Sequence, residues 1–365
     1  MLEHAVQISD GLKNTCADGA SLAFDSKYGI MFCAYMPGFL GDYGESRGKI
    51  ALSYFPAAQP TNIRYVEVSS GNEEYVPNIL SLGDGKVRVF YEKYSRAPGD
   101  HPICYKDFDF VTEHLGEERQ VMLRQADGTL TPLGLSHVFA YLENQGYHNH
   151  VFLQTEQIIF GGCTLFREPD GTVYGALSGE LSETVLYRSQ DNLATIEFFA
   201  VFPHQVQYEF DYLLHEGKIW AIYRTNQEPE GIYWSVSENM GRTWQQPEAL
   251  PESIQCRPRI VLHNGKVLMA YNYFNNRTEN RPEVIMGRTA IRFCVIEKGR
   301  PVQTRELHSK YGIVNISLLD LLGDLYMAFS TSVAALYYQN GSPWVRGKDA
   351  VRYICLGNMS VLTQE

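Results

Sequence analysis

The residues best able to do chemistry fall in four short stretches. Gln207-Tyr208-Glu209-Phe210-Asp211 enters one apolar segment, and Ile222-Tyr223-Arg224-Thr225-Asn226 leaves its partner. Tyr208, Glu209 and Asp211 are candidate proton-transfer groups, and Arg224 has the planar fork that holds a carboxylate by two hydrogen bonds. Cys256-Arg257-Pro258-Arg259 opens another apolar segment. Alternation turns Arg257 and Arg259 to one face, with Arg257 nearer the strand entry and Arg259 deeper; either could instead serve a structural ion pair. Tyr147-His148-Asn149-His150 is a polar cluster ahead of an apolar run. His148 and His150 share one face of an extended segment, as a general base, a metal pair or surface residues. No third ligand accompanies them, so no metal is expected, and no cofactor motif is visible.

Positioning these groups falls to a recurring hairpin. Ile79 to Phe90 turns at Asp84-Gly85, Thr164 to Leu177 at Asp170-Gly171, and Asp211 to Tyr223 at Glu216-Gly217. Ile260 to Tyr271 turns at Asn264-Gly265, Ile316 to Phe329 at Gly323-Asp324, and Ser21 to Tyr35 at Lys27-Tyr28-Gly29. Asp-Gly and Asn-Gly between alternating apolar residues are strong hairpin signals. Copies separated by about 45 to 85 residues fit blades of four antiparallel strands. The expected fold is all-β: one β-propeller of about six blades over residues 1–365, with room for an insertion or a seventh blade over about 95–160. Helical periodicity of useful length is not evident, and an open pair of β-sandwiches is the competing fold. Residues Ala5 to Ile8 are expected to pair with the final blade and close the ring.

Ser237-Glu238-Asn239-Met240-Gly241-Arg242-Thr243-Trp244 resembles the Asp box, Ser-x-Asp-x-Gly-x-Thr-Trp, of sialidases and related propellers, with Asn239 at the aspartate position. Ser189-Gln190-Asp191-Asn192-Leu193-Ala194-Thr195-Ile196 keeps the Ser, Asp and Thr of the motif and lacks its Gly and Trp. The resemblance implies a sialidase-like propeller whose boxes lie on outer turns away from the active site, with Trp244 packed between sheets. It also implies that Glu209 and Arg224 match a glutamate that opens one strand and a carboxylate-binding arginine that closes its partner. The family's Arg-Ile-Pro segment is missing, and Arg47 is the substitute in Tyr43-Gly44-Glu45-Ser46-Arg47-Gly48. No acid/base aspartate or nucleophilic tyrosine is assigned by spacing.

Three functions follow. The first is an exo-acting, sialidase-like glycoside hydrolase, with Glu209 polarising a tyrosine and Arg224 and Arg257 clamping an acidic sugar. The second is a propeller polysaccharide lyase acting on uronates, using His148 or His150, Tyr208 and Arg224. The third is a non-catalytic glycan-binding propeller. The 24 tyrosines suit both strands and sugar clefts. A formal net charge of −11 with no basic stripe argues against nucleic acid as a partner. Seven cysteines without a CxxC pair suggest a reducing compartment. Met1 precedes neither a basic nor an apolar leader region, and no apolar run reaches the length of a membrane span. A cytoplasmic protein with no membrane partner is therefore expected.

Overall fold

Each of the six hairpins read from the sequence is formed, and each begins its own sheet, antiparallel throughout except where Met122–Arg124 runs parallel to Thr195–Gln207 in the third. The computed structural model describes residues 5–9, 17–37, 49–69, 71, 74–93, 101–148, 160, 162–273, 288–308, 313–321, 323–332 and 352–358. The two-residue turns take left-handed backbone at both positions, with φ of +53° and +79° at Asp84-Gly85 and +50° and +72° at Asn264-Gly265. Turns of this hand match the twist of the flanking strands. Glu216-Gly217 makes the same turn at +51° and +72°.

Six sheets result. The first contains Ala17–Asp25, Ile30–Pro37, Ala51–Pro56 and Arg64–Glu67. The second is built on Glu74–Gly83, Lys86–Lys93 and Ile103–Asp109, and the third on Phe166–Arg167, Val173–Leu177, Glu180–Ser189 and Thr195–Gln207. The fourth holds Phe210–His215, Lys218–Thr225, Gly231–Ser237 and Glu248–Ala249. The fifth holds Arg259–His263, Lys266–Asn272, Ala290–Glu297 and Arg300–His308. The sixth joins both ends of the described chain: Val314–Leu321, Asp324–Ser332 and Arg352–Asn358, completed by Val6–Gln7. Val6 faces Leu356 and Gln7 faces Cys355, the closure expected from the sequence.

First strands pack on one another between sheets one and two, four and five, five and six, and six and one, and the third sheet meets the fourth through Val173–Leu177, so the arrangement is a β-propeller. Buried hydrogen bonds run from entry to entry around this inner ring. Ser21 Oγ donates to Asn78 Oδ1 at 3.0 Å, and Asn78 Nδ2 donates to the Cys163 carbonyl at 2.9 Å. Asp211 accepts from Thr164 N–H at 2.7 Å and from Ile260 N–H at 3.0 Å. Arg259 donates to the carbonyls of Ile316 at 2.8 Å and Gly162 at 2.6 Å. Between sheets the core is apolar and aromatic. Trp220, Trp234, Met269 and Tyr271 fill the gap between the fourth and fifth sheets, and Phe32, Tyr54, Val89 and Tyr91 that between the first and second.

The interval 95–160 is more structured than its sequence suggests. Ile103–Asp109 belongs to the second sheet, while Met122–Arg124 and Leu130–Pro132 extend the outer edge of the third. A helix, Leu135–Asn144, follows and buries Val138 and Leu142. No helical periodicity is evident in this stretch of the sequence, because a helix of under three turns shows only two or three apolar repeats. No helix among the described residues is long and apolar enough to cross a membrane.

The two box-like segments fold as the same turn. Ser237 Oγ accepts the Gly241 N–H at 2.8 Å, and Asn239 Oδ1 accepts the Thr243 N–H at 2.9 Å. Ser189 Oγ accepts the Leu193 N–H and Asp191 Oδ1 the Thr195 N–H, each at 2.8 Å. A Cβ at Gly241, where φ is +82°, would lie 2.6 Å from Ala200 Cβ. Leu193 holds the equivalent left-handed backbone at φ +64° with its side chain wholly buried. Trp244 reaches from the fourth sheet to the third, donating to the Val201 carbonyl at 3.0 Å and meeting Phe202 edge to face.

Candidate functional site

Strand entries at the mouth of the ring carry unusual backbone. Gly19 (φ +70°), Val76 (+40°), Tyr208 (+56°) and Asn315 (+51°) lie at the starts of the first strands of sheets one, two, four and six. Register breaks accompany three of them, between Asp18 and Ser21, Tyr75 and Asn78, and Val314 and Ser317. Bulges of this kind re-aim side chains beside functional sites, and non-glycine residues in this region are strained. At Tyr208 the turn is tighter still. The Glu209 N–H donates to the Gln207 carbonyl at 2.6 Å, a three-residue γ-turn of the rarer, left-handed kind. The Tyr208 N–H meanwhile donates to the Gly179 carbonyl at 3.0 Å, which docks the turn on the third sheet.

That turn sets Glu209 opposite Arg224. Phe210 pairs with Tyr223, and the Arg224 N–H donates to the Glu209 carbonyl at 2.9 Å, so the two side chains leave the hairpin together. Arg224 Nη1 lies 3.0 Å from Glu209 Oε2, with the side chains 18% and 15% exposed. Arg224 Nη2 donates to Gln255 Oε1 at 2.9 Å, and Arg288 donates to the Gln255 backbone carbonyl. Arg257 is 7% exposed, and its Nε has no hydrogen-bond partner. Between Gln255 and Arg257 lies Cys256. Burial pushes its thiol up and Glu209 adds to the rise, while Arg288, an N–H from Asn315 and Arg224 pull it down. Residues of sheets four, five and six therefore meet near one thiol: Glu209 and Arg224, Arg288, and Asn315.

The connector bearing Gln255 to Arg257 is pinned from the fifth sheet. Arg292 donates to the Pro251 carbonyl at 3.2 Å, reaches Glu252 at 2.8 Å and Glu306 at 2.9 Å, and stacks on Tyr273. The Ile254 N–H donates to the Asn272 carbonyl at 3.0 Å. The site is thus held by a folded strap rather than by a free loop.

Four of the residues expected from sequence stand in or beside this cluster: Tyr208, Glu209, Arg224 and Arg257. Asp211 does not. It is wholly buried, and besides Thr164 and Ile260 N–H its carboxylate accepts from Thr164 Oγ1 at 2.9 Å and faces Arg259 at 3.8 Å. Burial pushes this carboxyl up and pushes the Arg259 guanidinium down to about 10, so the arginine remains a cation at neutral pH with Asp211 as its counter-ion. Asp211 is committed to the inner ring and removed from any ligand. His148 is exposed near the end of the stretch that follows the helix, and no hydrogen bond to the arginine cluster is seen. His150 and Arg47 lie outside the described residues.

Sequence reasoning missed Gln255, Arg288 and Asn315. Gln255 and Asn315 both stand at strand entries, the signal used for Glu209, but neither is charged. Arg288 precedes a third strand, where the hairpin pattern gives no cue. Among the described residues no cluster of three or more His, Cys, Asp and Glu side chains has the makings of a metal site.

No protein-family model and no curated protein matches the sequence. Solved structures do. A Trypanosoma rangeli sialidase in complex with sialic acid superposes with a TM-score of 0.61 at 13% identity, over 96% of this chain and 58% of that one. This chain thus spans less than two thirds of that sialidase. A Hadza microbial sialidase gives a TM-score of 0.62 at 10% identity over 98% of this chain and 69% of that one. A protein of unknown function from Dyadobacter fermentans gives 0.61 at 12% identity, over 97% and 98% of the two chains. With the ring of sheets, its closure and these likenesses together, the chain has the sialidase-type β-propeller fold.

Proposed function

We propose that this protein, as one propeller domain over residues 1–365, is a sialidase-like glycoside hydrolase that removes an acidic sugar from the end of a glycan. One observation carries the reading: Arg224 and Arg288 gather at Gln255 at the mouth, buried Arg257 follows on the same connector, and among the described residues Glu209 is the one carboxylate ion-paired there. In a chain of net charge −11, such a local surplus of guanidinium suits an anionic ligand. That a sialidase of this fold was solved in complex with sialic acid supports a carbohydrate ligand.

In this reading the arginines take the sugar carboxylate, and Tyr208, next to Glu209 on the strained turn, attacks the anomeric carbon. Glu209 accepts the phenol proton as the C–O bond to the tyrosine forms and the glycosidic C–O bond breaks. The leaving oxygen takes a proton from a water molecule. The hydroxide so formed then attacks the anomeric carbon, forming the new C–O bond as the bond to the tyrosine breaks, and Glu209 returns its proton to the phenolate. A neutral nucleophile suits a sugar whose carboxylate would repel an acidic one.

A panel of sialosides and uronate oligosaccharides tests this, read for released sugar and for ultraviolet absorbance, with calorimetry for binding. Release of free acidic sugar supports the hydrolase. An absorbing unsaturated product replaces it with the lyase, and binding without turnover with the glycan-binding module. Neither binding nor turnover across the panel overturns the reading.

A further inference from the structure

Gln255 stands where charge balance calls for a carboxylate. Every other strongly buried arginine that the structure describes in an ion pair has an acid at hand. Arg88 has Asp107 at 2.7 Å, Arg259 has Asp211 at 3.8 Å, and Arg292 has Glu252 at 2.8 Å and Glu306 at 2.9 Å. At the mouth the pattern changes. Arg224 has Glu209, but neither Arg257 nor Arg288 is ion-paired with a carboxylate of the described residues, although Arg257 is only 7% exposed. What holds Arg224 and Arg288 together is Gln255, its side-chain oxygen on the first and its backbone carbonyl on the second. A guanidinium offers only donors, so both contacts fix the glutamine as acceptor. Two dipoles bind the cations without neutralising them, and a buried charge left without a counter-ion is costly to the free protein.

We propose that Gln255 is the specificity-determining residue of this mouth: a neutral amide that gathers Arg224 and Arg288 while leaving their charge to the carboxylate of an incoming acidic sugar. The inference rests on the functional reading above and adds the residue that keeps the site open to anions. A glutamate of nearly the same shape would fill the same place and supply the counter-ion from within. The protein would then gain in stability what it loses in anion binding, because the two draw on the same surplus charge.

The test is Gln255→Glu, with Gln255→Leu as a control that removes the amide and adds no charge. The probes are N-acetylneuraminic acid and glucuronic acid, each beside its neutral methyl ester. For Gln255→Glu we expect affinity for whichever acid the wild type binds to fall at least about tenfold, ester affinity to stay within about twofold, and Tm to rise by about 2 °C. Gln255→Leu should lower Tm and weaken the acid less than Gln255→Glu does. Unchanged acid binding in Gln255→Glu, or equal losses for acid and ester, overturns the inference. Should the wild type bind neither acid, the functional reading fails, and the stability arm still decides. A higher Tm in Gln255→Glu upholds the surplus charge, and an unchanged or lower Tm removes it.

Discussion

The two ends of the propeller handle charge in opposite ways. At the turn end, cations have acids of their own: Lys27 with Asp84 at 2.7 Å, Lys218 with Glu238 at 2.9 Å, and Lys266 with Glu297 at 3.4 Å. These pairs are exposed and contribute roughly 0–1 kcal/mol each. The groove there, lined by His215, Lys218, Trp220 and Lys266, carries lysines already matched in this way. At the mouth, arginines are drawn out of water around one glutamate, on strands whose entries are strained. These turn-end lysines are matched at the surface, whereas the mouth keeps both charge and strain in reserve. That contrast, more than any one residue, marks the mouth as the candidate site.

The sharpest way to break the comparison is Asp211→Ala. If Asp211 belongs to the inner ring, its loss strands the buried Arg259 and lowers unfolding free energy by about 3–5 kcal/mol in urea titration. A variant of normal stability that has lost turnover would return Asp211 to the mouth. Next comes Arg224→Lys, which keeps the charge but loses the fork that spans Glu209 and Gln255. Its kcat/KM on an acidic sugar should fall by about 2 kcal/mol, roughly thirtyfold, with a neutral analogue affected far less. Equal losses on both substrates would make Arg224 structural and erase the distinction between the two ends.

At the turn end, Asn239→Ala removes the acceptor of the Thr243 N–H and should lower stability by about 1 kcal/mol with turnover nearly unchanged. A large loss of turnover would place the turn at the mouth instead. Smallest of all is Asn239→Asp, which restores the residue that Asp191 keeps in the sister turn. Stability should move by no more than about 0.5 kcal/mol, measured in the same denaturation experiment, and a larger shift would mean that the two turns are not equivalent.

Residues with local consequences were legible in the sequence. Asp84-Gly85 and Asn264-Gly265 demand a left-handed turn wherever they occur, so they announced their hairpins. Ser237 to Trp244 carries its hydrogen bonds within eight residues and announced its turn as well. Glu209 and Arg224 could be paired because one hairpin brings them together. Asp211 shows the limit. At a strand entry it reads like Glu209, and what separates the two is Thr164 and Arg259, each 47 or 48 positions away. Gln255 escaped because its importance lies in a charge it lacks. The γ-turn at Tyr208 leaves no trace in residue type, since tyrosine has no preference for positive φ.

The ring of buried hydrogen bonds through Ser21, Asn78, Thr164, Asp211 and Arg259 has a consequence for how the molecule comes apart. Withdrawing the first strand of the fourth, fifth or sixth sheet leaves a polar group of a neighbour, the Thr164 N–H, Asp211 or Arg259, short of a partner in the interior. Opening one blade therefore weakens the next, and the inner strands melt as one cooperative unit, while outer edges such as Glu248–Ala249 are left to fray on their own.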